Sequence, residues 1–264
     1  MTAVDRIAFF GGIYSNYLAL EAAIRVARAR GVDALWALGD FGAFGPHPNR
    51  AIEILREHEI PAIQGNYEES LSSGAEDCHC GYTDPRDNHY AQISYDYTAE
   101  KTDEAYKRWM GTLPKRHRLH LGGQVLELVH GSPRKINEFL WSSTTSSPFV
   151  RRMLEERKAD VIVCTHTGIH WQRRDAHGRG VINVGALGRP ANDGKTNVWF
   201  TILSSRPEGG IEAEFVPVEY EHERLGREMT EEGLPLEFVE TVRTGWWTTC
   251  LEILPAKERA LGRY

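Results

Sequence analysis

Short apolar runs that stop at glycine-bearing turns constrain this chain more than any other feature of its sequence. Arg6 to Phe10 runs into Gly11-Gly12, Asp33 to Leu38 into Gly39-Asp40, and Pro61 to Gln64 into Gly65-Asn66. Such short apolar runs bounded by turn residues read as buried strands. Between them, Leu18 to Ala29 carries Leu20, Ala23, Ile24 and Ala27 at helical spacing, and a second helix is expected from about Asn49 to Glu57, after Pro48. Three strand-to-loop transitions within the first 65 residues, with helices between them, predict a parallel α/β sheet.

The middle of the chain changes character. Ser70 to Asn88 is polar, contains Cys78-His79-Cys80, and is expected to pass over the surface, covering whatever lies beneath. A helix at about Thr102 to Thr112 follows, then His117 to Leu121 and Val125 to Val129 around Gly122-Gly123, the form of a hairpin whose second strand delivers His130. Pro148 to Lys158 reads as a helix and Asp160 to Thr165 as a strand. Val181 to Asn183, Val198 to Leu203 and Ile211 to Val218 continue as strands joined by glycine turns. These last segments suggest a more antiparallel second half. Two packed mixed sheets flanked by helices, a four-layer αββα sandwich of the α/β class, accommodate both halves.

Residues 1–218 are expected to form one domain, and 219–264 a C-terminal helical extension docking on that domain or on a second subunit. Glu219 to Glu232 has helical ion-pair spacing, and Trp246-Trp247 with Leu251 to Leu254 supplies apolar surface for docking, a homodimer contact included. The 41% hydrophobic and 26% charged fractions fit a globular protein, and a net charge of -6 gives no reason to expect nucleic-acid binding. No stretch approaches the roughly 20 apolar residues of a membrane span, and Met1 to Arg6 shows no signal-peptide pattern. A cytoplasmic location without membrane partners is the expectation. The four cysteines do not resemble a disulfide framework, and Cys-x-Cys lacks the spacing of common zinc knuckles, which leaves a zinc site with His79 and His89 as a weak alternative.

Four polar residues stand where strands are expected to end: Asp40, Asn66, His130 and His166. One carboxylate, one amide oxygen and two imidazoles suit a borderline or fairly hard divalent ion such as Mn, Fe or Zn. Convergence at one end of an α/β sheet is where such folds gather ligands. The surrounding segments, Leu38-Gly39-Asp40, Gly65-Asn66-Tyr67-Glu68, Val129-His130-Gly131 and Thr165-His166-Thr167-Gly168, together with Ile13 to Glu21, Gly45 to Asn49 and Asn183 to Ala186, resemble the calcineurin-like metallophosphoesterases in order and content.

That resemblance implies two metal sites, of which one is depleted. The set carried by Asp40, Asn66, His130 and His166 is complete, whereas Gly12, Tyr14 and Gly168 stand where the other site would have an aspartate and two histidines. It also implies a leaving-group histidine at the position of Tyr67. One metal per chain and hydrolysis of a phosphomonoester or phosphodiester are therefore expected, with Tyr67 orienting a phosphate oxygen and Asn16 assisting. A noncatalytic protein that binds a metal or a phosphorylated ligand is the alternative, and chemistry on a non-phosphate substrate a third reading. Tyr14 could serve as a phenolate ligand to Fe(III) or simply fill the vacated volume. Arg134, Lys135, Arg173, Arg174 and Arg189 neighbour the motifs, each with an alternative reading as a solvated surface residue.

Overall fold

The structure is a computed structural model and describes residues 4–262. Strands β1 (Arg6–Phe10) and β2 (Ala34–Ala37) pair in parallel across helix α1 (Tyr17–Ala29). Helices α2 (Pro48–Glu57), α3 (Asn66–Ser73), α4 (Pro85–Lys101) and α5 (Glu104–Met110) follow, then β3 (Arg116–Leu121), β4 (Gln124–Val129), α6 (Ser147–Arg157), β5 (Val161–Cys164), β6 (Trp171–Arg174) and β7 (Gly180–Asn183). The chain closes with β8 (Val198–Ser205), β9 (Ile211–Val218), α7 (His222–Glu231), α8 (Leu236–Thr244) and α9 (Ala256–Leu261).

The strands form two sheets, in the orders β2-β1-β8-β9 and β3-β4-β5-β7-β6. Side chains alternate across each strand, so β1 sends Ile7 and Phe9 between the sheets and Ala8 and Phe10 toward the helices. Strand β5 does the same, with Val161 and Val163 inside and Ile162 and Cys164 packed with Met153 and Leu154 of α6. Burial on both faces is the reason these runs have no polar alternation. The result is the αββα sandwich.

Several local expectations are corrected. The second sheet is mixed, as expected, with a parallel centre of β4, β5 and β7 and an antiparallel strand at each edge, but the late antiparallel strands β8 and β9 belong to the first sheet and not to a more antiparallel second one. The run at Pro61 to Gln64 forms a single bridge, Ala37 with Ala62, because Gln64 leaves to bond the Met110 and Pro114 carbonyls. Helix α4 occupies a stretch whose sequence shows little aliphatic periodicity. Its buried face is Asp87, Ala91, Ser94, Tyr95 and Thr98, a helical spacing carried by polar and phenolic residues.

Helices α7 and α8 add Leu225, Met229, Phe238, Val239 and Val242 to the core that α1 and α2 make on the first sheet. Past α8 the tail buries Trp247 and Leu254 against Trp141, beside the loop after β5. Met1 to Ala3 and the last two residues of the expected extension lie outside the described residues. Among the described residues no helix is long and apolar enough to cross a membrane.

Candidate metal centre

Asp40 lies beyond β2, His130 and His166 follow β4 and β5 directly or by one residue, and Asn66 opens α3. Adjacent parallel strands thus deliver both histidines to one end of their sheet, and the Thr165 N–H bonds the His130 carbonyl at 2.8 Å, tying those two loops together. Asp40 and His166 both hold left-handed backbone conformations, at φ 55° and 68°. Such strain in non-glycine residues persists where the surroundings over-determine it, as at functional sites.

One potential ligand atom from each of Asp40, His130 and His166 lies within 4.8 Å of the other two, and all three residues are buried. His130 Nδ1 is 2.7 Å from the Leu38 carbonyl oxygen, which can only accept, so Nδ1 carries a proton. In the neutral ring Nε2 then presents a lone pair 3.1 Å from Asp40 Oδ2 and 3.1 Å from His166 Nδ1. Asn66 Oδ1 is buried with no hydrogen-bond partner, and the His166 ring, whose Nδ1 faces His130, also has the Cys80 and Asn137 backbones beside it. Buried polar atoms without partners are uncommon, and convergent acceptors are what a cation satisfies. The donor set fits a divalent ion, for which Asp40, His130, His166 and Asn66 are the candidate ligands.

Burial and mutual contact set the charges within the cluster. Burial raises the Asp40 carboxyl, but the His130 and His166 imidazoles and the Tyr67 N–H outweigh it and hold it below its ordinary value. Burial lowers His130, which Asp40 more than offsets, so its pKa is raised. Burial, and next the neighbouring His130, push His166 down to about 3, leaving a neutral imidazole over the physiological range.

Glu68 supports the centre from behind. Its carboxylate accepts from the N–H groups of Asp40 at 2.7 Å, Phe41 at 2.9 Å and Gly65 at 2.7 Å, and is fully buried. It therefore fixes the Asp40 turn and the start of α3, where Asn66 sits. Burial and the nearby Asp40 push its carboxyl up to about 7, against the three donors. The signal for this role is present in the sequence, since Glu68 stands at the third position of α3 with capping-box spacing. The expected role at this segment falls instead on its neighbour Tyr67. Phe139 is a second unassigned neighbour, its ring 4.2 Å from that of His166.

The residues given reacting roles are engaged elsewhere. Asn16 Oδ1 accepts from the Ala19 N–H at 3.0 Å and caps α1, while its Nδ2 donates to the Gly188 carbonyl. Tyr67 is buried and its hydroxyl pairs with Ser94 Oγ at 2.9 Å, although its N–H reaches Asp40 Oδ1 at 3.3 Å. Tyr17 bonds Glu228. Arg134 and Lys135 are exposed, and Arg173 and Arg174 donate to backbone carbonyls. Arg189 departs from the surface reading. It is buried, lies 4.1 Å over the Trp247 ring and 4.8 Å over that of Phe44, and donates to the Thr249 carbonyl at 2.8 Å.

Tyr14 and the tail occupy space beside two glycines. A Cβ at Gly12 would lie 2.4 Å from Tyr14 Cζ, and one at Gly168 would meet the Trp247 ring at 3.1 Å. Burial, and then Asp40, raise the Tyr14 phenol well above its ordinary value, so the neutral ring is the resident form.

The family model of the calcineurin-like phosphoesterase superfamily domain matches residues 6–205. The chain belongs to this superfamily. An uncharacterized protein of Methanocaldococcus jannaschii is 23% identical over 87% of this chain and 93% of its own length. Among solved structures, a metallophosphoesterase from Sphaerobacter thermophilus superposes with a TM-score of 0.68 at 24% identity, covering 92% of this chain and 100% of that one. A hypothetical protein from Pyrococcus horikoshii superposes at 0.76 with 19% identity, over 92% and 99%. At these identities the superpositions bear on the fold. The superfamily uses divalent metals, and Asp40, His130 and His166 form a cluster that could hold one, while aromatic rings lie beside Gly12 and Gly168.

The cysteine reading is also corrected. Cys78 and Cys80 are joined as a disulfide, which removes both thiols from a zinc site with His79, while Cys164 and Cys250 are free and buried.

Proposed function

We propose that this protein is a metal-dependent phosphoesterase that hydrolyses a phosphomonoester or phosphodiester with a single divalent ion held by Asp40, Asn66, His130 and His166. The observation that carries the reading is the buried convergence of ligand atoms from Asp40, His130 and His166, with Asn66 Oδ1 buried and without a hydrogen-bond partner. An ion of the Mn, Fe or Zn type bound there would polarise a phosphoryl oxygen and lower the pKa of water.

The protein's own residues do the rest by placement. His130 is oriented by the Leu38 carbonyl, and Asp40 by the Glu68 carboxylate through their shared backbone bonds. Tyr67 contributes through its N–H to Asp40 and Asn16 through the α1 cap beneath the Tyr14 turn, so both act as positioning groups in this reading. A phosphorylated small molecule or phosphodiester is the proposed substrate class. A single ion can assist only part of an in-line displacement, so turnover slower than that of a two-ion centre is expected.

The near-complete burial of the ligands and the aromatic cover over Gly12 and Gly168 favour a second reading, a noncatalytic metal-binding or phosphate-binding protein. Metal analysis of the purified protein by plasma mass spectrometry, with hydrolysis of p-nitrophenyl and bis-p-nitrophenyl phosphate, separates the two. The first reading expects about one ion per chain, its loss in His130→Ala and His166→Ala, its retention in Tyr14→Phe, and turnover that follows the metal. One ion without turnover selects the second reading, and full metal content in His166→Ala removes both.

A further inference from the structure

The Cys78-His79-Cys80 segment packs against the metal centre. Asn66 Nδ2 donates to the Cys78 carbonyl at 2.9 Å and lies 3.4 Å from Cys80 Sγ. An amide group is planar, so committing its nitrogen to one side commits its oxygen to the other. That oxygen, Asn66 Oδ1, is buried and has no partner. The disulfide between Cys78 and Cys80 closes a tight ring around His79, which has a left-handed φ of 46°. Beyond the ring, Asn137 Nδ2 donates to the His79 carbonyl at 2.8 Å, and Tyr82 stacks on Phe139, the residue that also lies against His166.

The ring is accessible from outside. Together with Asp77, Gln92 and Asn137 it lines an open groove of about 390 Å³, and Cys80 is partly exposed there. A small dithiol can therefore approach one side of the disulfide while the other side holds Asn66.

We propose that the Cys78–Cys80 disulfide is a redox-addressable clasp that holds the Asn66 amide in its ligating orientation, so that its reduction weakens the metal centre. The inference rests on the one-ion reading above. In the reducing step a dithiol's thiolate attacks Cys80 Sγ, breaking the bond to Cys78 and forming a mixed disulfide. The second thiol of the dithiol then displaces Cys80. Two electrons and two protons pass to Cys78 and Cys80 as thiols, and the reductant departs as its own disulfide. With the ring open the Cys78 carbonyl is released from its place, and Asn66 loses the acceptor that sets its rotamer. Groups that orient metal ligands in this way change affinity by about 10–100-fold when removed.

The test is the affinity of the full chain for Mn²⁺, read by electron paramagnetic resonance of the free ion. Air-oxidised protein is compared with protein reduced by dithiothreitol and desalted without air, with alkylation and mass spectrometry counting the thiols. Reduction is expected to add two alkylatable cysteines and weaken Mn²⁺ binding by about tenfold or more. Cys78→Ser/Cys80→Ser should show the weaker affinity under both conditions. The side-chain amide resonance of Asn66, identified by its loss in Asn66→Ala, should shift on reduction even without metal.

Equal affinities with an unmoved Asn66 resonance would overturn the clasp, and so would tighter binding on reduction, which would mark a cysteine thiolate as a ligand. Failure to bind Mn²⁺ in either state, with the Asn66 resonance still shifting, would remove the one-ion reading while upholding the clasp's hold on Asn66.

Discussion

At the residue scale, the centre depends on a carboxylate that touches no proposed substrate. Glu68 is the acceptor for three buried N–H groups, and removing an acceptor leaves its donors desolvated and unpaired at about 1–3 kcal/mol each. Glu68→Ala is therefore expected to lower unfolding free energy by about 3 kcal/mol or more by urea denaturation. It should also weaken metal retention, because its bonds hold the N–H of Asp40 and that of Gly65, the residue before Asn66. A variant with wild-type stability and metal content would show that the Asp40 turn holds itself. Glu68 and the ligands share a legible signal, polar residues at fixed offsets from strand ends. The engagements of Asn16 and Tyr67 are not legible, because their partners Gly188 and Ser94 are distant in sequence.

At the scale of elements, the loop before β6 leans on the opposite sheet. His170 lies between the rings of Trp199 on β8 and Phe215 on β9, at 4.3 and 4.7 Å, with its Nδ1 buried and unpartnered. Burial lowers its pKa from the ordinary value of 6.5. For a base with a depressed folded pKa, the unfolded chain takes up the proton first, so stability falls as pH drops below about 6.5 and levels off below the folded value. His170→Phe keeps an aromatic ring in the slot and removes this term. Urea midpoints measured from pH 7 to pH 5 should fall less for His170→Phe than for the natural chain, and parallel decline in both would show that His170 does not carry the dependence. Strand β6 itself was not anticipated, since Trp171 to Arg174 has one buried residue in four and pairs only along its edge with β7.

At the scale of the molecule, the tail packs beside Gly168, two residues along the chain from His166. Trp247 is buried against Gly168, donates its indole N–H to the Pro190 carbonyl, and carries Arg189 on its face. Truncating a buried tryptophan costs about 3–5 kcal/mol, so Trp247→Ala should be destabilised in that range in urea. Its metal content should stay at one ion per chain in the one-ion reading, because Gly12 and Gly168 bring no donor atoms whether covered or open. A rise toward two ions would show that the tail, and not the missing ligands, sets the stoichiometry.

The division between sequence and structure follows from the range over which each kind of information acts. Period and composition act locally, and they suffice for strands buried on both faces, for turns at Gly39 and Gly65, and for ligands placed where strands end. Combined in chain order these indicated the sandwich, and together with the resemblance to the calcineurin-like metallophosphoesterases they marked Asp40, Asn66, His130 and His166 as candidate ligands, of which Asp40, His130 and His166 converge. What fills the positions beside Gly12 and Gly168, how Arg189 comes to be buried, and which atom of Asn66 is left free were decided by the tertiary structure alone. Each depends on groups from separate parts of the chain meeting in one volume. Close packing selects those partners by shape and by the need to satisfy buried polar atoms, and neither requirement leaves a periodic trace in the sequence.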